Sequence, residues 1–172
     1  MRLFLALVPP PELRTRLGEL ADIAHARCGG RRMPDDRLHL TLAFLGEVDE
    51  KRAVELAEWV STLGVAPGRW RLDSWSCFQR PRIVWIGSQR PAPPLETLQR
   101  TLWDGLEARG FPGRPARFVP HVTLLRRADS LATFDLPDID LAWPYNKLEL
   151  IQSIMDGSGA ARYTTLARSG GA

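Results

Sequence analysis

The string His39-Leu40-Thr41-Leu42 recurs in the second half of the chain as His121-Val122-Thr123-Leu124. Each copy sets a histidine and a threonine two residues apart inside an apolar, β-branched run, the pattern of a half-buried strand. Side chains alternate faces along a strand. His39 and Thr41 therefore share one face while Leu40 and Leu42 point into a core, and Val122 and Leu124 do the same for His121 and Thr123. Two of the three histidines of the chain are used in this way. A lone strand histidine is an ordinary structural group, but two copies in matching apolar runs, about half the chain apart, indicate a duplicated unit with a paired site.

The elements around the two strings repeat as well. Residues 2–8 read as a strand and residues 10–26 as an amphipathic helix, with proline at its start, Leu13, Leu17, Leu20 and Ile23 as its apolar stripe, and Gly29-Gly30 at its end. A basic loop over residues 31–37 leads into the His39 strand, which closes at Leu45-Gly46. Asp49 caps a second helix to about residue 63, with Val54, Leu56, Ala57 and Val60 available for burial and Phe44 assigned to the core beside Leu40 and Leu42. From Trp70 the order begins again: strands over 70–78 and 83–86, a Pro-rich turn, a helix over 95–109, a Gly/Pro loop and the His121 strand. Strands over 141–145, 147–153 and 161–167 follow, the last two joined by the turn-forming Asp156-Gly157-Ser158-Gly159. The expectation is an α+β protein in which residues 1–172 make a single bilobal domain. Two pseudo-symmetric lobes, each a mainly antiparallel sheet backed by helices, put their His-x-Thr strands on facing sides of a central cleft.

Composition sets the outer bounds. Of 172 residues, 44% are hydrophobic and 25% charged, ordinary for a soluble globular chain. The apolar start at Met1–Val8 meets Pro9, Pro10 and Pro11 too soon for a signal peptide or a membrane span, so the chain reads as cytoplasmic with no membrane partner. Cys28 and Cys77 lack the spacing of a zinc or redox site and read as reduced bystander thiols. The net charge is only +3, yet 21 of the 23 basic residues are arginine. Arginine suits bidentate contact with phosphate, although a GC-rich genome would enrich it without any functional reason.

Free imidazole titrates near neutrality, so one histidine can serve as a neutral base while its partner is a protonated acid. In-line displacement at phosphorus needs both, because the entering and leaving oxygens lie on opposite sides. The threonine hydroxyls, on the same faces, suit the non-bridging oxygens. A cyclic phosphate fits such a site, since its leaving oxygen stays on the same ribose. The competing reading is a metal held by both histidines with Asp35 or Asp36, but no further metal-ligand spacing supports it. His25 reads as a helix residue, Arg126 as a phosphate contact at the end of the second motif, and Arg127 as a solvated strand terminus. Trp85 and Phe118 fit either base stacking or burial.

These residues resemble a known family. The opening Arg2-Leu3-Phe4-Leu5-Ala6-Leu7, the run from His39 to Gly46, Arg80-Pro81-Arg82-Ile83-Val84-Trp85-Ile86-Gly87, the run from Phe118 to Arg126, the strand from Leu148 to Ser153 and Tyr163-Thr164-Thr165-Leu166 are similar to the two-histidine (2H) phosphoesterases. Within them the likeness is to the bacterial RNA 2',3'-cyclic phosphodiesterases, also called 2'-5' RNA ligases. The resemblance implies that His39 is the proton donor to the leaving 3' oxygen and His121 the acceptor that activates water, leaving a 2'-phosphate. It implies that Thr41, Thr123 and Arg126 hold the phosphate, and that no metal, ATP or other cofactor is needed. The implied partner is RNA with 2',3'-cyclic phosphate ends, acted on by a monomer with no obligate protein partner. Reversible 2'-5' joining would use the same site with an RNA hydroxyl in place of water. Two other readings stand beside it: a cyclic phosphodiesterase of small nucleotides, and a binding module that grips RNA ends without turnover. The width and charge of the cleft beyond the histidines separate the first from RNA, and the two intact motifs argue against the second.

Overall fold

The computed structural model describes residues 1–158 and 160–170. In chain order the elements are β1 (Arg2–Leu7), α1 (Pro11–Cys28), β2 (Arg31–Arg32), a 3-10 turn (Asp35–Arg37), β3 (Leu40–Glu47), α2 (Glu50–Thr62), β4 (Gly68–Leu72), β5 (Ser74–Phe78), β6 (Ile83–Gly87), α3 (Pro93–Ala108), β7 (Val122–Arg126), β8 (Leu141–Tyr145), β9 (Glu149–Met155) and β10 (Ala161–Arg168). They build one four-stranded sheet in the order β10-β9-β1-β3, a second in the order β2-β7-β6-β5, and a small β4-β8 ribbon. All the pairings are antiparallel. The α+β, two-sheet architecture is therefore as the repeat predicts, with β1-α1-β3 and β6-α3-β7 as the matching units.

The backing of the sheets differs from the expectation in one respect. Each helix of the repeat crosses over: α1 leaves β1 of the first sheet and packs on β7 and β2 of the second, whereas α3 leaves β6 and packs on β3 of the first. The second helix, α2, lies on β10 and β9. One continuous core results, joining Leu3, Leu5 and Leu7 of β1 to Val84 and Ile86 of β6 and to Val122 and Leu124 of β7.

Several local expectations change for physical reasons. The stretch 70–78 is two strands in different sheets, because β4 pairs with β8 and sets the buried Trp70 against Trp143 (ring centroids 5.7 Å apart) while β5 pairs with β6. On α2 the buried positions are Ala53, Leu56 and Val60, one helical stripe that leaves Val54 55% exposed. On α1 the stripe closes through Ala21 and Ala24 and leaves Ile23 at the rim. Asp49 does cap α2, accepting from the Arg52 amide at 2.8 Å. In the β9–β10 turn Asp156 Oδ1 accepts from the Ser158 and Ala160 amides, and Gly159 lies outside the described residues.

Phe44 is not core. Strict alternation groups it with Leu40 and Leu42, but the β1–β3 register runs Ala6 opposite Thr41 and then Leu5 opposite Ala43, so Leu42 is an extra residue. A bulge of this kind reverses the parity of everything after it. Leu42 and Ala43 are both buried, and Phe44 emerges on the face of Thr41. The second motif carries the same device. Trp85 faces Thr123 and Val84 faces Leu125, so Leu124 is the extra residue and Arg126 is turned out as Phe44 is.

Candidate active site

Both histidines lie at the entrance of their strands and are held alike. His39 Nδ1 lies 2.7 Å from the Arg37 carbonyl, and His121 Nδ1 lies 2.7 Å from the Val119 carbonyl. A carbonyl only accepts, so Nδ1 carries the proton in each ring and Nε2 is left to titrate. Each ring also rests against two aromatics. Phe4 and Tyr163 flank His39 at centroid distances of 4.9 and 5.6 Å, and Phe78 and Trp85 flank His121 at 5.1 and 5.6 Å. The repeat thus extends from the two histidines to their supports.

The two sites are not equivalent. His39 Nε2 accepts from the Thr41 hydroxyl at 2.8 Å, whereas no such bond joins His121 to Thr123. Burial pushes His39 from its ordinary value of 6.5 down to about 4, opposed by its backbone carbonyl and reinforced by His121 and Arg126. His121 is lowered too, first by burial and then by Arg126. The two imidazoles are therefore within electrostatic reach of one another, and Arg126 acts on both.

Two chambers open from this centre. One, of about 280 Å³, is lined by His39, Thr41, Phe44, Tyr163 and four arginines, Arg2, Arg31, Arg37 and Arg126. The other, of about 350 Å³, is apolar and lined by Thr41, Phe44, Phe78, Trp103, Phe118 and His121 among others. Thr41 and Phe44 stand in both. A larger hollow of about 560 Å³ on the β4–β8 ribbon has Arg69 as its sole charged group and lies away from both histidines.

The structure places the sequence-predicted His39, Thr41 and Arg126 in the first chamber and His121 with Thr41 in the second, while Thr123, partly exposed on β7, lines neither. Trp85 sits half-buried beside His121, and Phe118 lines the apolar chamber. His25 is exposed on α1, its Nε2 3.1 Å from the Gly30 carbonyl. Asp35 is tied to Arg32 at 2.7 Å, and among the described residues no three His, Cys, Asp or Glu side chains form a group that could hold a metal. Arg127 is exposed at a left-handed turn after β7. The sequence reading missed the aromatic supports. Phe4 sits in a strand that is apolar on both faces, and Tyr163 comes from a strand far along the chain.

Residues 9–152 match the 2'-5' RNA ligase superfamily. The chain belongs to this family. The RNA 2',3'-cyclic phosphodiesterase of Escherichia coli strain K12 is 31% identical over 167 residues, covering 97% of this chain and 94% of that protein. The protein of the same name from Thermus thermophilus is 34% identical over 181 residues, covering 96% and 88%. Among solved structures, E. coli LigT complexed with 3'-AMP superposes with a TM-score of 0.85 at 31% identity, covering 97% of this chain and 95% of that one. The two-sheet fold with one motif per sheet is thus the superfamily fold in this chain.

Proposed function

We propose that this superfamily member is an RNA 2',3'-cyclic phosphodiesterase, opening a terminal cyclic phosphate to a 2'-phosphomonoester. The observation that carries the reading is the pair of imidazoles with Nδ1 capped by a carbonyl and Nε2 left to titrate, one in each sheet, with Arg126 acting on both. The full-length likeness to proteins named for this activity supports it.

In this mechanism His121 Nε2 takes a proton from water as the water oxygen bonds to phosphorus. The bond from phosphorus to the 3' oxygen breaks, and His39 Nε2 gives its proton to that oxygen. In the free protein His39 is neutral near pH 7, with its Nε2 accepting from Thr41. A phosphate anion beside it favours the imidazolium, so the acid is charged as the substrate arrives. Thr41 then no longer has an Nε2 lone pair to donate to, and its hydroxyl turns to a non-bridging oxygen. Thr123 and the Arg126 guanidinium hold the remaining phosphate oxygens. With an RNA 5'-hydroxyl in place of water, the same proton transfers yield a 2'-5' bond.

The test is a short RNA with a 2',3'-cyclic phosphate, incubated with the protein in EDTA, the product end being mapped. A 2'-phosphomonoester formed in chelator is expected. Activity lost in EDTA and restored by zinc or manganese would show instead that a metal activates the water.

A further inference from the structure

Each of the two imidazoles is one corner of an aromatic triangle. Ring centroids are 4.9 Å apart for His39 and Phe4, 5.6 Å for His39 and Tyr163 and 5.1 Å for Phe4 and Tyr163. In the second triangle they are 5.1 Å apart for His121 and Phe78, 5.6 Å for His121 and Trp85 and 5.1 Å for Phe78 and Trp85. The two are built alike. Phe4 and Trp85 come from the strands that pair directly with the motif strands, β1 beside β3 and β6 beside β7, while Tyr163 and Phe78 reach in from β10 and β5, the outermost strands of the two sheets. None of the four belongs to the continuous core, and Phe4 and Tyr163 share a small cluster of their own with Ala6, Val8 and Ile151.

Each ring must carry a positive charge at one stage of the reaction: His39 before it protonates the 3' oxygen, His121 after it has taken the proton of water. Burial opposes that charge at both. In a catalytic triad a carboxylate on Nδ1 steadies the imidazolium. Here Nδ1 meets a backbone carbonyl instead, and among the described residues neither imidazole is paired with an aspartate or glutamate. The charged groups around them are mainly arginines. Arg2, Arg31, Arg37 and Arg126 line one chamber with His39, and a hollow on its other side holds Arg14 and Arg168 with Asp36 and Glu149. Glu149 is itself held by the Thr165 hydroxyl at 2.9 Å and by Arg168 at 3.5 Å. Beside His121 stand Arg117 and Arg126. An aromatic ring attracts a cation that lies within about 6 Å of its centroid, and all four imidazole distances fall inside that limit.

We propose that Phe4 and Tyr163 at His39, and Phe78 and Trp85 at His121, are positioning residues that stabilise the imidazolium form of each histidine, in the place that a carboxylate holds in a catalytic triad. The inference rests on the acid and base reading above and adds four residues to it. Each pair then has its own signature. Above the maximum of the pH profile the rate follows the fraction of His39 that is protonated, and below it the fraction of His121 that is neutral. Losing a ring at His39 slows the alkaline limb and spares the acid one. Losing a ring at His121 speeds the acid limb and spares the alkaline one.

The experiment uses Tyr163→Leu and Phe78→Leu, both at half-buried positions, with Tyr163→Phe as the variant that keeps the ring. For each, kcat/KM on a short RNA ending in a 2',3'-cyclic phosphate is measured across the pH profile, and the titration of both histidines in the free protein is followed by NMR through the ring Cε1 proton. Tyr163→Leu is expected to be about threefold to tenfold slower on the alkaline limb, with His39 titrating about 0.5 to 1 lower in pH. Phe78→Leu should lower the titration of His121 by the same amount and raise the rate on the acid limb to match. Tyr163→Phe should titrate as wild type. A leucine also admits water to the imidazole, which by itself raises the titration. A titration that rises or stays put in both leucine variants would therefore overturn the proposal, since the rings would then do no more than exclude water or fill space. Equal losses on both limbs would overturn it as well. If the wild type opened no cyclic phosphate, the phosphodiesterase reading would fail, and the NMR titrations would still decide what the rings do.

Discussion

At the scale of single residues, the site divides its work between two imidazoles that differ in setting. His39→Ala and His121→Ala are each expected to lower hydrolysis by on the order of 10² to 10⁴. The double variant should be little worse, because both act in one proton-transfer cycle; near-normal turnover by either single variant would refute the pairing. Thr41→Val is expected to lower hydrolysis by about 10² to 10³, the scale of one hydroxyl donor to a non-bridging oxygen, and turnover equal to wild type would leave Thr41 only its bond to His39 Nε2 in the free protein. The pH profile follows from the same geometry. Both imidazoles are held below their ordinary value, His39 at about 4, so the pair takes up its protons in acid rather than neutral solution. The maximum of kcat/KM is expected between pH 4 and about 6.5, with kcat displaced upward because the bound anion favours the imidazolium. A kcat/KM maximum above pH 7.5 would contradict this.

At the scale of elements, two bulges and one glycine set what the cleft displays. Without the extra residues Leu42 and Leu124, Phe44 and Arg126 would point into the core. Gly30 lets the chain turn from α1 into β2: its φ is +80°, and a Cβ there would stand 2.7 Å from the Ala128 Cα and from the Arg126 and Arg127 carbonyl oxygens. Gly30→Ala is therefore expected to destabilise the protein by about 1 to 3 kcal/mol, read as a drop of several degrees in Tm. An unchanged Tm would mean that β2 shifts freely, and with it Arg31. The motif strands were legible because their alternation is clean for its first three residues. The bulges were not, because an inserted leucine in an apolar run looks like any other leucine.

At the scale of the whole molecule, the crossed helices tie the two sheets to one continuous core, and stability at acid pH becomes a property of the cleft. In the unfolded chain His39 titrates near 6.5, and in the folded one at about 4. Folding is therefore favoured most above pH 6.5, and stability falls as the pH drops from 6.5 to about 4, where the folded form takes the proton as well. The full difference is worth up to about 3 kcal/mol. Chemical denaturation at pH 7.5 and 4.5 checks it: His39→Asn should lose less stability between the two than wild type, and equal losses would show that His39 carries no such cost. The α+β class, the repeat, the Asp49 cap of α2 and the His-x-Thr pairs are all legible in the chain, because periodicity, capping and motif spacing are local properties. Only the tertiary structure decided that α1 backs the second sheet, that Tyr163 and Phe4 flank His39, and that Arg2, Arg31, Arg37 and Arg126 share one chamber without a carboxylate. Those facts depend on which distant strands pair and in what register, and the hydrophobic drive that brings the sheets together is blind to which polar residues it places face to face.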